Sequence, residues 1–132
     1  MQKITVRLVV NKGYIEQDVA IQPIRVPFEC YATEHPALAV HHDISMKKND
    51  DGDIELERSG YTAWNLVNIC SGLLLYGGFK TRKAASEFAK ELHAAPFDPF
   101  NPDTGEVVSR EEQHEDLYKL LKQLMKKHGA RD

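Results

Sequence analysis

Apolar residues recur at every second position through the first half of this chain, the period of a half-buried β-strand. Ile4, Val6, Leu8 and Val10 alternate with Thr5 and Arg7 over residues 4–10. Asn11-Lys12-Gly13 supplies a turn, and Tyr14 to Ile21 alternates again, so an N-terminal hairpin is expected. Ile24, Val26, Phe28 and Cys30 keep the period, but Pro23 and Pro27 cannot donate to a ladder. That segment should therefore run along a sheet border. After a turn at His35-Pro36, residues 37–46 alternate as Leu38, Val40, His42, Ile44 and Met46. The charged loop KKNDDGD interrupts them before Ile54 and Leu56 resume the pattern, which predicts a second hairpin with a polar tip.

The stretch from Tyr61 to Pro96 changes period partway. It reads as a strand over Thr62–Ile69, a turn at Ser71-Gly72, a strand over Leu73–Tyr76 and a break at Gly77-Gly78. Ala85, Phe88, Leu92 and Ala95 then fall on one face of a helix over 82–95, with Thr81 as its N-cap and Pro96 as its stop. Trp64, Leu66, Phe88 and Leu92 are expected to pack together. A proline-rich loop, FDPFNPDTGEVV, separates this unit from a second helix over 110–128. Ser109 and Glu112 make a capping box for that helix, and Leu117, Leu120, Leu121 and Leu124 form its stripe. Lys126, Lys127 and His128 sit where positive charge suits the helix dipole. The expected fold is a single α+β domain over residues 1–132. It has an antiparallel, meander-like sheet of five to seven strands and two amphipathic helices, the second C-terminal.

Composition narrows the function classes. The 132 residues suffice for a core without disulfides or metal. A net charge of -3 gives no global field toward nucleic acid or an anionic membrane. Cys30 and Cys70 lie in strand-like apolar contexts without CxxC or CxxH spacing and read as small, buried, reduced thiols. The N-terminal alternation is no signal peptide, and no apolar run approaches the ~20 residues that span a bilayer. A cytoplasmic protein with no membrane partner is expected.

Few residues suggest chemistry. Aligning Gly52 with the glycine of an EF-hand loop puts Lys47 and Arg58 at the two end ligands, so the acidic loop is better read as a hairpin turn. Cys30, His35, His41, His42 and Asp43 could form a metal or Cys–His catalytic cluster. Adjacent strand residues face opposite ways, however, so His41 and His42 would share an ion only across a bulge. No phosphate-binding loop, HExxH, GxSxG or GxGxxG motif occurs. No cofactor and no metal are expected.

The sharpest feature is Gly77-Gly78-Phe79-Lys80-Thr81-Arg82-Lys83. Three cations at a helix start oppose the macrodipole. Lys80, Thr81, Arg82 and Lys83 are therefore the candidate binding residues, suited to a phosphate or carboxylate. The competing expectation is that these side chains splay into water or pair with the acidic 50–57 loop.

The pattern Trp64-x-Leu66-Val67-x5-Gly72, then Phe79-x-Thr81-x2-Ala84-Ala85-x2-Phe88-Ala89, resembles a hairpin–helix module of small phage and plasmid proteins of unassigned activity. It covers about a quarter of the chain. The resemblance implies a mobile-element accessory protein that binds a host protein or nucleic acid, and it carries over no catalytic residue. The leading expectation is thus a non-enzymatic binding or regulatory protein with a protein partner or nucleic acid. A homodimer through the sheet edge or terminal helix is compatible with it. The alternatives are a small hydrolase or metal-dependent enzyme using Cys30, His35, His41 and His42, and an oligomeric structural subunit.

Overall fold

A computed structural model describes residues 2–11, 23–96, 99–107 and 115–131. Among these residues, seven strands and two helices follow in order: β1 (Lys3–Asn11), β2 (Pro23–Ala32), β3 (Leu38–His42), β4 (Ile44–Lys48), β5 (Ile54–Arg58), β6 (Trp64–Asn68), β7 (Leu74–Phe79), α1 (Arg82–Ala94) and α2 (Glu115–His128). Five strands form one antiparallel sheet in the order β1-β2-β3-β6-β7, and β4 and β5 pair separately. The fold is α+β.

The partner of β1 is β2, in a register that sets Val6 opposite Phe28 and Leu8 opposite Val26. The strand expected over 14–21 lies outside the described residues. β2 stands second in the sheet rather than at its border, yet the prolines obey the rule that suggested a border. β3 pairs with β2 only at Tyr31 and Ala32, so among the described residues the Pro23–Cys30 part has a paired strand on one side alone. Ala32 donates its N–H to Gln2 on the β1 side. By alternation, the nitrogens of residues 23 and 27 point the other way, where no ladder hydrogen bond is lost.

The alternating run over 37–46 is not one strand. It breaks at Asp43, whose N–H donates to Ala63 O at 2.8 Å and whose C=O accepts from the Ser59 N–H at 2.9 Å. The Asp43 carboxylate accepts the Ser59 hydroxyl at 2.6 Å. These bonds turn β4 and β5 out of the main sheet, and Ile44 and Leu56 pack on its second face. Underneath them lies a small core of Val6, Leu8, Cys30, Ala39 and Val67. At the hairpin tip the Asn49 side chain accepts the Asp51 and Asp53 amides, both at 3.0 Å, which occupies the loop with its own turn.

β7 continues through Gly77-Gly78, which the sequence reads as a break. The register with β6 shifts there, Gly78 takes φ 81°, and Asn65 Oδ1 accepts the Gly78 N–H at 3.3 Å. Arg131 donates its amide to Gly77 O at 2.7 Å, and its side chain lies where a Cβ on Gly78 would stand. The two glycines therefore serve a close approach of the C-terminal segment rather than a strand end. At the opposite end of β7, the turn at Gly72 reaches β1, with Val9 N–H donating to Gly72 O at 2.9 Å.

α1 covers the other face of the sheet. Thr81 caps it, its hydroxyl accepting the Ala84 N–H at 3.0 Å, and extended geometry at Ala95 before Pro96 ends it. Ala85, Phe88, Ala89 and Leu92 are its buried positions, matching the stripe that the period predicts as far as Leu92. Phe88 centres the main core, 5.0 Å from the Tyr76 ring and 5.4 Å from Phe79, with Leu38, Val40 and Leu66 beneath. Trp64 only borders this core. α2 packs on α1 through Leu121, Leu124 and Met125 and is clasped by Glu91, which meets Lys127 Nζ and His128 Nε2, each at 2.7 Å. Its expected capping box at Ser109 and Glu112 lies outside the described residues.

Candidate functional site

The cysteine and histidines that suggested an enzyme are distributed over the molecule. Cys30 is fully buried in the small core, where burial pushes its thiol up to about 12 and keeps it protonated, whereas Cys70, expected to be buried as well, is exposed in the turn after β6. His41 shares that side of the sheet, against the edge of Phe28 with ring centroids 6.0 Å apart. Burial lowers its pKa below the ordinary value of 6.5, and its Nδ1 donates to the His42 carbonyl at 2.7 Å. His42 faces the opposite way and meets Trp64 edge-on at 5.1 Å. His35 sits in the β2–β3 turn, stacked on Phe100 and tilted against His93, and its Nδ1 accepts the Ala37 N–H. Asp43 holds the hairpin neck. Among the described residues, no group of three or more potential ligands gathers to hold a metal ion.

The basic helix start has a different setting. Lys80, Thr81, Arg82 and Lys83 line an open groove of about 810 Å³, within the ~300–1,000 Å³ range of sites that enclose a small ligand. One wall is α1, which contributes Arg82, Lys83, Ser86, Glu87 and Lys90 at helical spacing. The β2–β3 connection gives Thr33 and Glu34, β5 ends in Arg58, and β6 begins with Trp64. The lining thus holds five cations, Arg58, Lys80, Arg82, Lys83 and Lys90, against two carboxylates, Glu34 and Glu87.

Partners inside the groove divide the cations. Lys83 lies 3.9 Å from Glu87 and Lys90 lies 3.9 Å from Glu34, both solvent-exposed and therefore weak pairs. The Arg82 guanidinium carbon lies over the Tyr31 ring, 4.3 Å from its centroid, and that of Arg58 lies over Trp64 at 5.2 Å. Arg58, Lys80 and Arg82 have no ion-pair partner among the described residues. The acidic 50–57 loop does not neutralise them, because Glu55 and Glu57 pair with Lys47 on the adjacent strand. Thr81 acts as the cap, with its hydroxyl turned to Ala84, while the first helix amides have no intrahelical acceptor by geometry.

Sequence reasoning located four of the lining residues and missed Arg58, Glu34 and Lys90. Arg58 stands out in the sequence only as the residue that spoils a calcium loop. Nothing in spacing links residue 58 to residue 82; the hairpin turning out at Asp43 does. Trp64, assigned to the core by its hydropathy, forms the junction between core and groove. No family model matches the chain, and no curated protein or solved structure matches it.

Proposed function

We propose that this is a non-enzymatic binding protein that recognises a polyanionic partner through the groove between α1, the β2–β3 connection and the end of β5. The observation that carries this is the convergence of five cations and two carboxylates on one concave surface of a chain whose net charge is -3. Charge gathered against the sign of the whole molecule focuses a field on one site. Two arginines held by aromatic rings reduce the side-chain ordering that binding requires. The enzymatic alternative has no comparable support, since its Cys and His residues lie on opposite faces and at the sheet end. The resemblance to small phage and plasmid proteins adds a setting to the proposal: an accessory protein of a mobile element, acting on a host protein or nucleic acid.

Trp64 is the only tryptophan and lines the groove, so its fluorescence reports occupancy directly. Polyglutamate and an oligonucleotide serve as polyanion probes. At least one should alter the emission, with affinity falling as salt rises over the screening range of about 8–10 Å. Replacing Lys80, Arg82 and Lys83 together by Gln should weaken binding at least tenfold. The same replacement at Lys3, Lys119 and Lys126, exposed lysines outside the groove, should leave it unchanged. Equal affinity of both triple variants and the wild-type protein would reduce the groove to a solvated surface.

A further inference from the structure

We infer that the polyanion is a short stretch of single-stranded nucleic acid, its phosphates on Arg58, Lys80 and Arg82 and its bases laid on the two ring-backed guanidinium groups. This rests on the groove being the binding surface and adds the chemistry of what enters it. The deciding feature is that both unpaired arginines are held over aromatic rings, Arg82 over Tyr31 at 4.3 Å and Arg58 over Trp64 at 5.2 Å. A guanidinium held in this way offers a charged plane of the size on which an unstacked base rests. An acidic peptide would use the charge but has no flat face to lay on that plane.

Shape argues in the same direction. α1 forms a wall of a concave groove, whereas reading a duplex requires a helix or ribbon that projects into the major groove. A single strand can lie within the concavity. A short strand suffices, because Lys83 and Lys90 each have a carboxylate at 3.9 Å to compete with a phosphate, whereas Arg58, Lys80 and Arg82 have no acidic partner among the described residues. Three such contacts to a single strand predict a slope of log affinity against log salt of about -2.

The test is fluorescence anisotropy with the full chain and labelled thymidine and uridine oligomers of about twelve nucleotides. Competitors are unlabelled duplex of the same length and polyglutamate of the same charge. The expected result is binding of at least one single strand with quenching of Trp64, a slope near -2, and poor competition by duplex and polyglutamate. Changing Arg58 and Arg82 together to Lys keeps every charge but removes the planes, and should weaken binding by roughly fivefold or more. If polyglutamate competes as well as the oligomers and the Lys variant binds like wild type, the ligand is an acidic protein segment. The nucleic-acid assignment then falls while the polyanion groove stands. Tighter binding of duplex overturns the assignment in the same way. If neither kind of polyanion binds, both proposals fail together.

Discussion

The two helices of this protein treat their own dipoles in opposite ways. α2 has Glu115 and Asp116 in its first turn and Lys126, Lys127 and His128 in its last, each sign at the end that favours it. α1 has no acidic residue in its first turn and begins Thr81-Arg82-Lys83, directly after Lys80. The difference follows from what surrounds each end. The basic end of α2 reaches Glu91 on its neighbour, so its charges hold the two helices together. The basic start of α1 opens into a groove, where among the described residues only Lys83 of its three cations has an acidic partner. A helix docked by a strong apolar stripe tolerates an electrostatically poor start, and such a start can be kept for recognition.

Removing that docking should give the largest effect. Phe88→Ala empties the centre of the main core and should destabilise the fold by about 3–5 kcal/mol in denaturant melts. A loss below about 1 kcal/mol would mean that α1 is not anchored by its stripe. Next comes the cap that makes the basic start tolerable. Thr81→Ala leaves the Ala84 amide without its side-chain acceptor and should cost about 1 kcal/mol.

The clasp between the helices has a pH signature. Hydrogen bonds from Lys127 and then His128 hold the Glu91 carboxyl below its ordinary value of 4.5. A carboxylate with a depressed folded-state pKa contributes stability that is present above the unfolded value and lost as pH falls through the folded one. Because Glu91 is about 35% exposed, the contribution should be about 1 kcal/mol or less. Glu91→Gln should show that deficit at neutral pH and converge with wild type in acid. Parallel melting curves at every pH would show that the clasp is not electrostatic.

The smallest effect sharpens the comparison most. Exchanging the charges of the Lys83–Glu87 pair, as Lys83→Glu with Glu87→Lys, preserves net charge and the i,i+4 spacing but gives α1 an acidic first turn like that of α2. Stability should rise by about 0.3–1 kcal/mol, while affinity for a polyanion should fall. Greater stability with undiminished binding would separate the helix start from the recognition surface.

Much of the fold was legible because its elements are specified locally. The α1 stripe, its Thr81 cap and its stop before Pro96 each depend on a few neighbouring residues, and the structure keeps them. What failed needed contacts distant in sequence. Asp43 splits an alternating run because Ala63 and Ser59 bind its backbone, and Gly77-Gly78 stays in a strand because Arg131 arrives there. The prolines of β2 illustrate a correct rule with an incomplete inference. They forbid a ladder on one side, which an edge strand satisfies and which a strand flanked only in part also satisfies. At the groove, the unfavourable helix start was visible as a local anomaly. Arg58 and Trp64 were not, because a side chain's membership of a cleft has no periodicity.

The neck at Asp43 and Ser59 also bears on how such a protein can change over generations. The segment 44–58 leaves the five-stranded sheet and returns to it through a neck of a few hydrogen bonds, while its Ile44 and Leu56 cover the small core on the second face. β3 and β6 pair directly across its base, with His42 opposite Trp64. The segment nevertheless ends in Arg58, on the groove. Lengthening or trimming the tip of the hairpin, away from Ile44 and Leu56, would therefore move Arg58 at one side of the proposed groove while sparing the core beneath α1, so that the charge on that surface can diverge faster than the fold that supports it.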